Sequence, residues 1–231
     1  SSASVSFTST VSASSLTDVN QASINKALVD ALRNEAPLAS LSGGSLVNTK
    51  QVSTFGFSGT EAIEGAIKLA RRVTGRSQII SAHNAYHGNT LGAMSVMGYT
   101  ERKQPFLPLI PDVKFIEFNN SEHLNKITTK TSAVILETIQ GGAGFIEPQN
   151  NYLKKVKQRC NAVGALLILD EIQCGFGRTG SMFAFSHFDI IPDVLVIAKG
   201  MGGGMPIGAF ISSKEIMNTL THHPVLGHIT T

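Results

Sequence analysis

The stretch Val194-Leu195-Val196-Ile197-Ala198-Lys199-Gly200-Met201-Gly202-Gly203-Gly204-Met205-Pro206 decides how this chain is read. Five apolar residues in a row describe a strand covered on both faces, and such strands belong to parallel sheets packed under helices. The run ends on a single lysine and opens at once into glycines. That placement sets an amine in a pocket rather than on a wet surface. Burial disfavours the ammonium form, lowers the pKa of the amine and frees its lone pair for attack on a carbonyl. Alone, a strand-ending lysine more often snorkels to solvent, so its neighbours have to decide.

Outward from this stretch, helix-like and strand-like segments alternate. Ile24, Leu28, Ala31 and Leu32 share one helical face, as do Ala62, Ile63, Ala66, Ile67 and Ala70. The second helix follows Ser58-Gly59-Thr60-Glu61, a helix-start signal. Short apolar runs at 78–80, 113–116, 133–136 and 165–169 read as further strands, with 152–163 as the helix feeding the last of these. The expected fold is α/β, a mostly parallel open sheet with helices on both faces.

Bulk composition bounds the function. The 231 residues are 42% hydrophobic and 15% charged with a net charge of +3, which fits a globular protein with a sizeable core. The densest basic stretch, Lys154 to Arg159, has helical spacing and reads as a solvated helix face, so no nucleic-acid partner is expected. Cys160 and Cys174 offer neither metal spacing nor a disulfide framework, which favours a reducing, cytoplasmic setting. No apolar run approaches the ~20 residues of a membrane span. The first basic residue is Lys26, so the opening lacks the positive region of a signal peptide. Its first fifteen residues read as a serine-rich tail or an edge strand.

Parallel α/β sheets bind ligands beyond the carboxyl ends of their strands. The residues just past the predicted strands are Glu137, Asp170-Glu171 and Lys199, two acidic positions and an amine delivered to one rim. Ser58-Gly59-Thr60 at a helix start offers free N–H groups, a positive dipole end and a hydroxyl, a combination suited to phosphate. Asp170 ends an apolar strand, where an unpaired carboxylate costs several kcal/mol, so it requires a cation or strong donors. Tyr86-His87-Gly88 follows the 78–80 strand and brings a ring to the same rim. Lysine, carboxylate, phosphate-binding helix start and flat ring together describe a pocket for a phosphorylated pyridine aldehyde.

Five motifs carry a family resemblance: Ser58-Gly59-Thr60-Glu61-Ala62, Ala85-Tyr86-His87-Gly88, Leu169-Asp170-Glu171-Ile172-Gln173, Gly175-Phe176-Gly177-Arg178-Thr179-Gly180 and Ala198-Lys199-Gly200-Met201-Gly202-Gly203-Gly204. Over residues 55–231 the chain resembles the class III pyridoxal-phosphate aminotransferases, of the acetylornithine, ornithine and 4-aminobutyrate type. The resemblance implies the large domain of fold type I, aspartate aminotransferase-like, with pyridoxal 5'-phosphate as cofactor. It implies Lys199 as the Schiff-base lysine that also shuttles a proton, and Asp170 as the partner of the pyridine nitrogen. Gln173 matches the residue on the phenolic oxygen, Ile172 and Tyr86 the groups on the two ring faces, and Gly59 and Thr60, with Ser58, the phosphate cradle. His87 and Glu137 fall among the cofactor-side positions. Thr231 resembles the threonine that reaches the phosphate in a neighbouring subunit, which implies a homodimer with shared sites. An amino donor of ω-amino or acylated ornithine type and a 2-oxo acid acceptor, 2-oxoglutarate, are the implied substrates.

The chain departs from the family in three places. Phe57 stands where asparagine is usual before Ser-Gly-Thr, and Gly142 stands where many members carry a glutamate that switches between substrates. Members also run to nearly twice this length. Residues 1–54 are therefore expected to be a partly helical, poorly matched N-terminal segment and 55–231 the cofactor-binding large domain, with a C-terminal small domain outside this chain. Decarboxylase or racemase chemistry on the same scaffold, or a non-catalytic homologue, stay open as alternatives. A dinucleotide-binding domain does not fit, because glycines 200–204 lack the G-x-G-x-x-G form with a helix behind it.

Overall fold

The computed structural model of the chain describes residues 51–56 and 58–219. The expected helix around Ile24 to Leu32, Phe57 and Thr231 lie outside the described residues. One seven-stranded sheet organises the described residues, in the order β1-β7-β6-β5-β4-β2-β3. The strands are β1 (Gln51–Gly56), β2 (Gln78–Ala82), β3 (Val113–Ile116), β4 (Thr131–Glu137), β5 (Leu166–Asp170), β6 (Val194–Ile197) and β7 (Gly208–Ser213). The five strands from β2 to β6 run parallel to one another, and they are the five that the apolar runs predict. Antiparallel β7 and β1 extend the sheet beyond β6, a pair that the sequence reading does not contain.

Alternation of side chains across each strand sends neighbours to opposite helix layers. In β4, Val134 and Leu136 pack toward α4 (Tyr152–Val163) with Tyr152, Val156 and Cys160. Ala133 and Ile135 pack instead toward α1 (Gly59–Thr74) with Ile63, Ala66 and Ala70. The short helices α2 (Leu91–Ser95) and α3 (Thr100–Lys103) lie between β2 and β3 in the chain, and α5 (Lys214–Asn218) follows β7. The basic stretch in α4 is only partly solvated. Lys157 pairs with Asp193 at 2.6 Å and Lys154 with Asp189 at 3.0 Å, while Val156 and Cys160 are buried.

Helix α1 begins and ends as its sequence dictates. The Ser58 hydroxyl accepts from the Glu61 N–H at 3.3 Å, and Gly75 closes the last turn at φ 66°, in the left-handed region that glycine enters cheaply. This helix lies so close to β7 that a β-carbon on Gly65 would overlap the buried ring of Phe210. Truncating that ring leaves a cavity between helix and sheet. Phe210→Ala is expected to lower the unfolding free energy by about 3–5 kcal/mol in urea titrations; a loss below about 1 kcal/mol would mean that α1 does not depend on this contact.

Candidate active site

Chain order and sheet order diverge between β2 and β4. The chain leaves β2 outward to β3, then returns past β2 to β4 and continues the other way to β5 and β6. Such a reversal opens a crevice at the carboxyl ends of the strands. A cavity of about 430 Å³ lies there, within the size range of small-molecule pockets, and Ser58, Thr60, Tyr86, Asp170, Gln173 and Lys199 are among its walls. Gly59, His87, Glu137 and Ile172 line the same space. Ten of the eleven site residues expected from sequence thus meet in one cavity, and the eleventh, Thr231, lies outside the described residues.

Lys199 corrects one expectation. It follows β6 in the predicted place, but its side chain is exposed rather than buried. The strand stops at Ile197, and Lys199 begins a tight turn that opens the glycine loop, so no second layer of the described residues covers the amine. Its Nζ donates to Gln173 Oε1 at 3.1 Å, and its backbone sits at φ 47°, in the left-handed region that a β-carbon disfavours. Non-glycine residues held in that region cluster at functional sites.

Asp170 is 4% exposed and ends β5 in register with Glu137 of β4. One of its oxygens is bonded to His87 Nδ1 at 2.8 Å and the other accepts from the Ile172 N–H at 3.0 Å. The donors that a buried carboxylate requires are therefore supplied by its own loop and by the Tyr86-His87-Gly88 segment. His87 Nε2 is buried without a partner among the described residues. Glu137 accepts from the N–H groups of Tyr86 at 3.1 Å and Gly141 at 3.2 Å. Burial holds its carboxyl above the usual range, and nearby Asp170 adds to the rise while His87 opposes it.

Two features escape a reading by motif. Glu171, fully buried, accepts from the Thr138 hydroxyl at 2.6 Å and from the N–H groups of Ala184 and Phe185 at 2.8 Å each. It ties the segment after the Gly175–Gly180 turns back under the sheet edge. Behind Thr60, Thr90 is bonded to the Thr60 hydroxyl at 2.9 Å and donates to Glu64, which also accepts from the Gly92 and Ala93 N–H groups. A glutamate 26 to 29 residues from its partners carries no local signal. Gly142 borders Tyr99, whose hydroxyl would stand 3.0 Å from a β-carbon added there, so a longer side chain at 142 requires Tyr99 to move.

The aminotransferase class-III family matches residues 13–231. The chain belongs to that family. It is 47% identical over 163 residues to the LysW-aminoadipate semialdehyde/glutamate semialdehyde transaminase of Sulfolobus acidocaldarius, covering 71% of this chain and 42% of that protein. It is 44% identical over 169 residues to the acetylornithine aminotransferase of Clostridium acetobutylicum, covering 70% and 44% respectively. The taurine:2-oxoglutarate aminotransferase of Bifidobacterium kashiwanohense, solved with pyridoxal phosphate and glutamate, superposes with a TM-score of 0.73 at 31% identity, over 87% of this chain and 48% of that one. The chain thus spans less than half the length of these relatives. Its fold is that of the fold type I pyridoxal-phosphate aminotransferases.

Family membership implies pyridoxal phosphate, and the cavity fits it. The first turn of α1 leaves the Gly59 and Thr60 N–H groups without partners among the described residues, an anion site by construction. A β-carbon at Gly59 would press on Ile172 at 2.8 Å and Ala198 at 3.2 Å, and one at Gly88 would overlap Thr60, so both glycines keep the phosphate end open. An amine, a carboxylate and an amide stand at the other walls. For Glu137 the sign of the pH effect follows from its raised carboxyl: the stability it allows is complete below its ordinary value near 4.5 and is lost as the pH rises through the folded-state value. Wild type should therefore lose stability relative to Glu137→Gln as the pH rises above 4.5 in paired denaturant titrations. A difference that is flat or rises with pH contradicts the assignment.

Proposed function

We propose that this chain is the cofactor-bearing part of an aminotransferase that takes an amino group from an ω-amino or acylated ornithine-type donor and passes it to 2-oxoglutarate. One observation carries the reading: Lys199, Asp170 and the open first turn of α1 line a single cavity at the sheet's switch point. When bound, pyridoxal phosphate supplies an aldehyde that amines attack and a ring that withdraws electrons from the substrate carbon.

The residues divide that work by position. Lys199 Nζ is the amine aimed at the aldehyde and the group that holds and returns a proton at the substrate carbon, with Gln173 Oε1 restraining it at 3.1 Å. Asp170 would hold the ring nitrogen and keep it protonated, and His87 fixes the orientation of that carboxylate. The Gln173 amide is the donor to the phenolic oxygen. Ile172 and Tyr86, both on the cavity wall, would take the two ring faces. Ser58, Gly59 and Thr60 hold the phosphate through the α1 N–H groups and hydroxyls.

The proposal extends to a homodimer in which Thr231 reaches the neighbouring cofactor, and to a cytoplasmic setting. Relatives named for acetylornithine and for taurine:2-oxoglutarate transfer support the choice of substrates. Among the described residues no helix is long and apolar enough to cross a membrane.

With pyridoxal phosphate, an ornithine-type donor and 2-oxoglutarate, the protein should form glutamate. Lys199→Ala should cut turnover by at least ~10²–10⁴-fold, the span of positioned acid–base catalysis, while phosphate-anchored cofactor still binds. Asp170→Ala should lower both cofactor affinity and turnover. Absence of glutamate with every donor of this class, or full activity in Asp170→Ala, would overturn the assignment.

A further inference from the structure

A second cavity, of about 810 Å³, lies along β3, far from the strand ends that hold Lys199. Lys114, Phe115, Lys126, Thr128, Thr129 and Lys130 are among its walls. Successive residues of a strand face opposite sides of the sheet, so a space lined by both Lys114 and Phe115 runs along the outer edge of β3. Gln78 and His83 also border it, one at each end of β2. Their separation gives the groove a length of roughly 17 Å at ~3.3 Å per residue.

The edge itself is open. β3 pairs with β2 alone among the described strands. The Ile79 N–H donates to the Asp112 carbonyl and the His83 N–H to the Ile116 carbonyl, so even-numbered residues turn their main-chain groups inward. Val113 and Phe115 then turn theirs outward, where their N–H groups have no partner among the described residues. Among the described residues, Lys126 Nζ reaches this edge, 3.5 Å from the Phe115 carbonyl.

The charged side chains that line the groove are lysines. Lys114, Lys126 and Lys130 form no ion pair among the described residues, and Lys103 Nζ stands 4.1 Å above the Phe115 ring. The two acids flanking the strand sit at the ends of the groove and are already bonded there: Asp112 accepts from the Ser77 hydroxyl at 2.6 Å and from Gln78 Nε2 at 3.5 Å, and Glu117 faces His83 at 3.9 Å. One lysine on an open edge is ordinary protection against edge-to-edge pairing. Here Lys126 and Lys130 come from a separate segment and, with two threonines, complete a walled groove. A second copy of this edge would set lysine against lysine. An acidic strand meets both requirements.

We propose that the outer edge of β3 binds an extended acidic segment of a partner protein as an added strand. Its main chain pairs with Val113 and Phe115, and its carboxylates meet Lys114, Lys126 and Lys130. The test is fluorescence anisotropy of a labelled peptide of alternating glutamate and valine, titrated with the chain at low salt. Binding is expected to weaken at least tenfold in the Lys126→Glu/Lys130→Glu double variant and, separately, in Lys114→Glu, with circular dichroism melts unchanged. Methylating alternate peptide nitrogens keeps the charge but removes main-chain donors, and should also weaken binding at least tenfold. Equal binding of the methylated peptide, full displacement by tripolyphosphate at matched charge, unchanged affinity in the variants, or no binding at all would each overturn the proposal. Displacement by tripolyphosphate would assign the groove to small anions instead.

Discussion

The register between β4 and β5 sets Glu137 beside Asp170, and the rest of the site is arranged around that pairing. Adjacent strands lie about 4.8 Å apart, and two nearly buried carboxylates at that spacing are stable only if each finds donors. They find them in the loops. Glu137 gathers the N–H groups of Tyr86 and Gly141, Asp170 gathers His87 and the Ile172 N–H, and Glu171 gathers those of Ala184 and Phe185. Three acids at the ends of two strands thereby hold segments arriving from three directions. The aromatic ring, the imidazole and the apolar side chain reach the cavity because satisfying those carboxylates brings their backbones there.

Lys199 follows a different rule. Its amine is not withdrawn from water by the described residues; it is aimed by a left-handed backbone turn and by the Gln173 amide. The two sides of the cavity therefore differ in kind. Acids on the β4–β5 side are buried and stiffly bonded, whereas the lysine side consists of a short turn and glycine loop. A buried acidic wall facing an exposed amine suits a site in which one group fixes the ring and another has to attach, detach and carry a proton.

Much of this was legible in the sequence because parallel strands announce themselves. Their apolar runs are buried on both faces, so 133–136 and 165–169 stood out, and the polar residue after each run fell at the carboxyl end of the sheet; 113–116 was legible from its apolar residues although it forms the half-exposed outer strand. Antiparallel β7 did not stand out. Gly208, Ala209 and two serines give it little hydrophobic contrast, although Phe210 is one of the largest buried side chains. The burial expected for Lys199 failed for a local reason, since the strand ends two residues before it and Lys199 itself opens the following turn. Contacts of long sequence separation, such as Glu64 with Thr90 and Glu171 with Phe185, depend on topology and leave no periodic trace.

The central claim is that the lysine at the end of β6 is the amine that takes up pyridoxal phosphate. Reduction with borohydride in the presence of the cofactor, followed by peptide mass mapping, tests it most directly. A stable pyridoxyl mass on the peptide containing Lys199, absent when free phosphate competes for the first turn of α1, is the predicted result. A pyridoxyl group spread over surface lysines, or placed on one other than Lys199, would contradict the account.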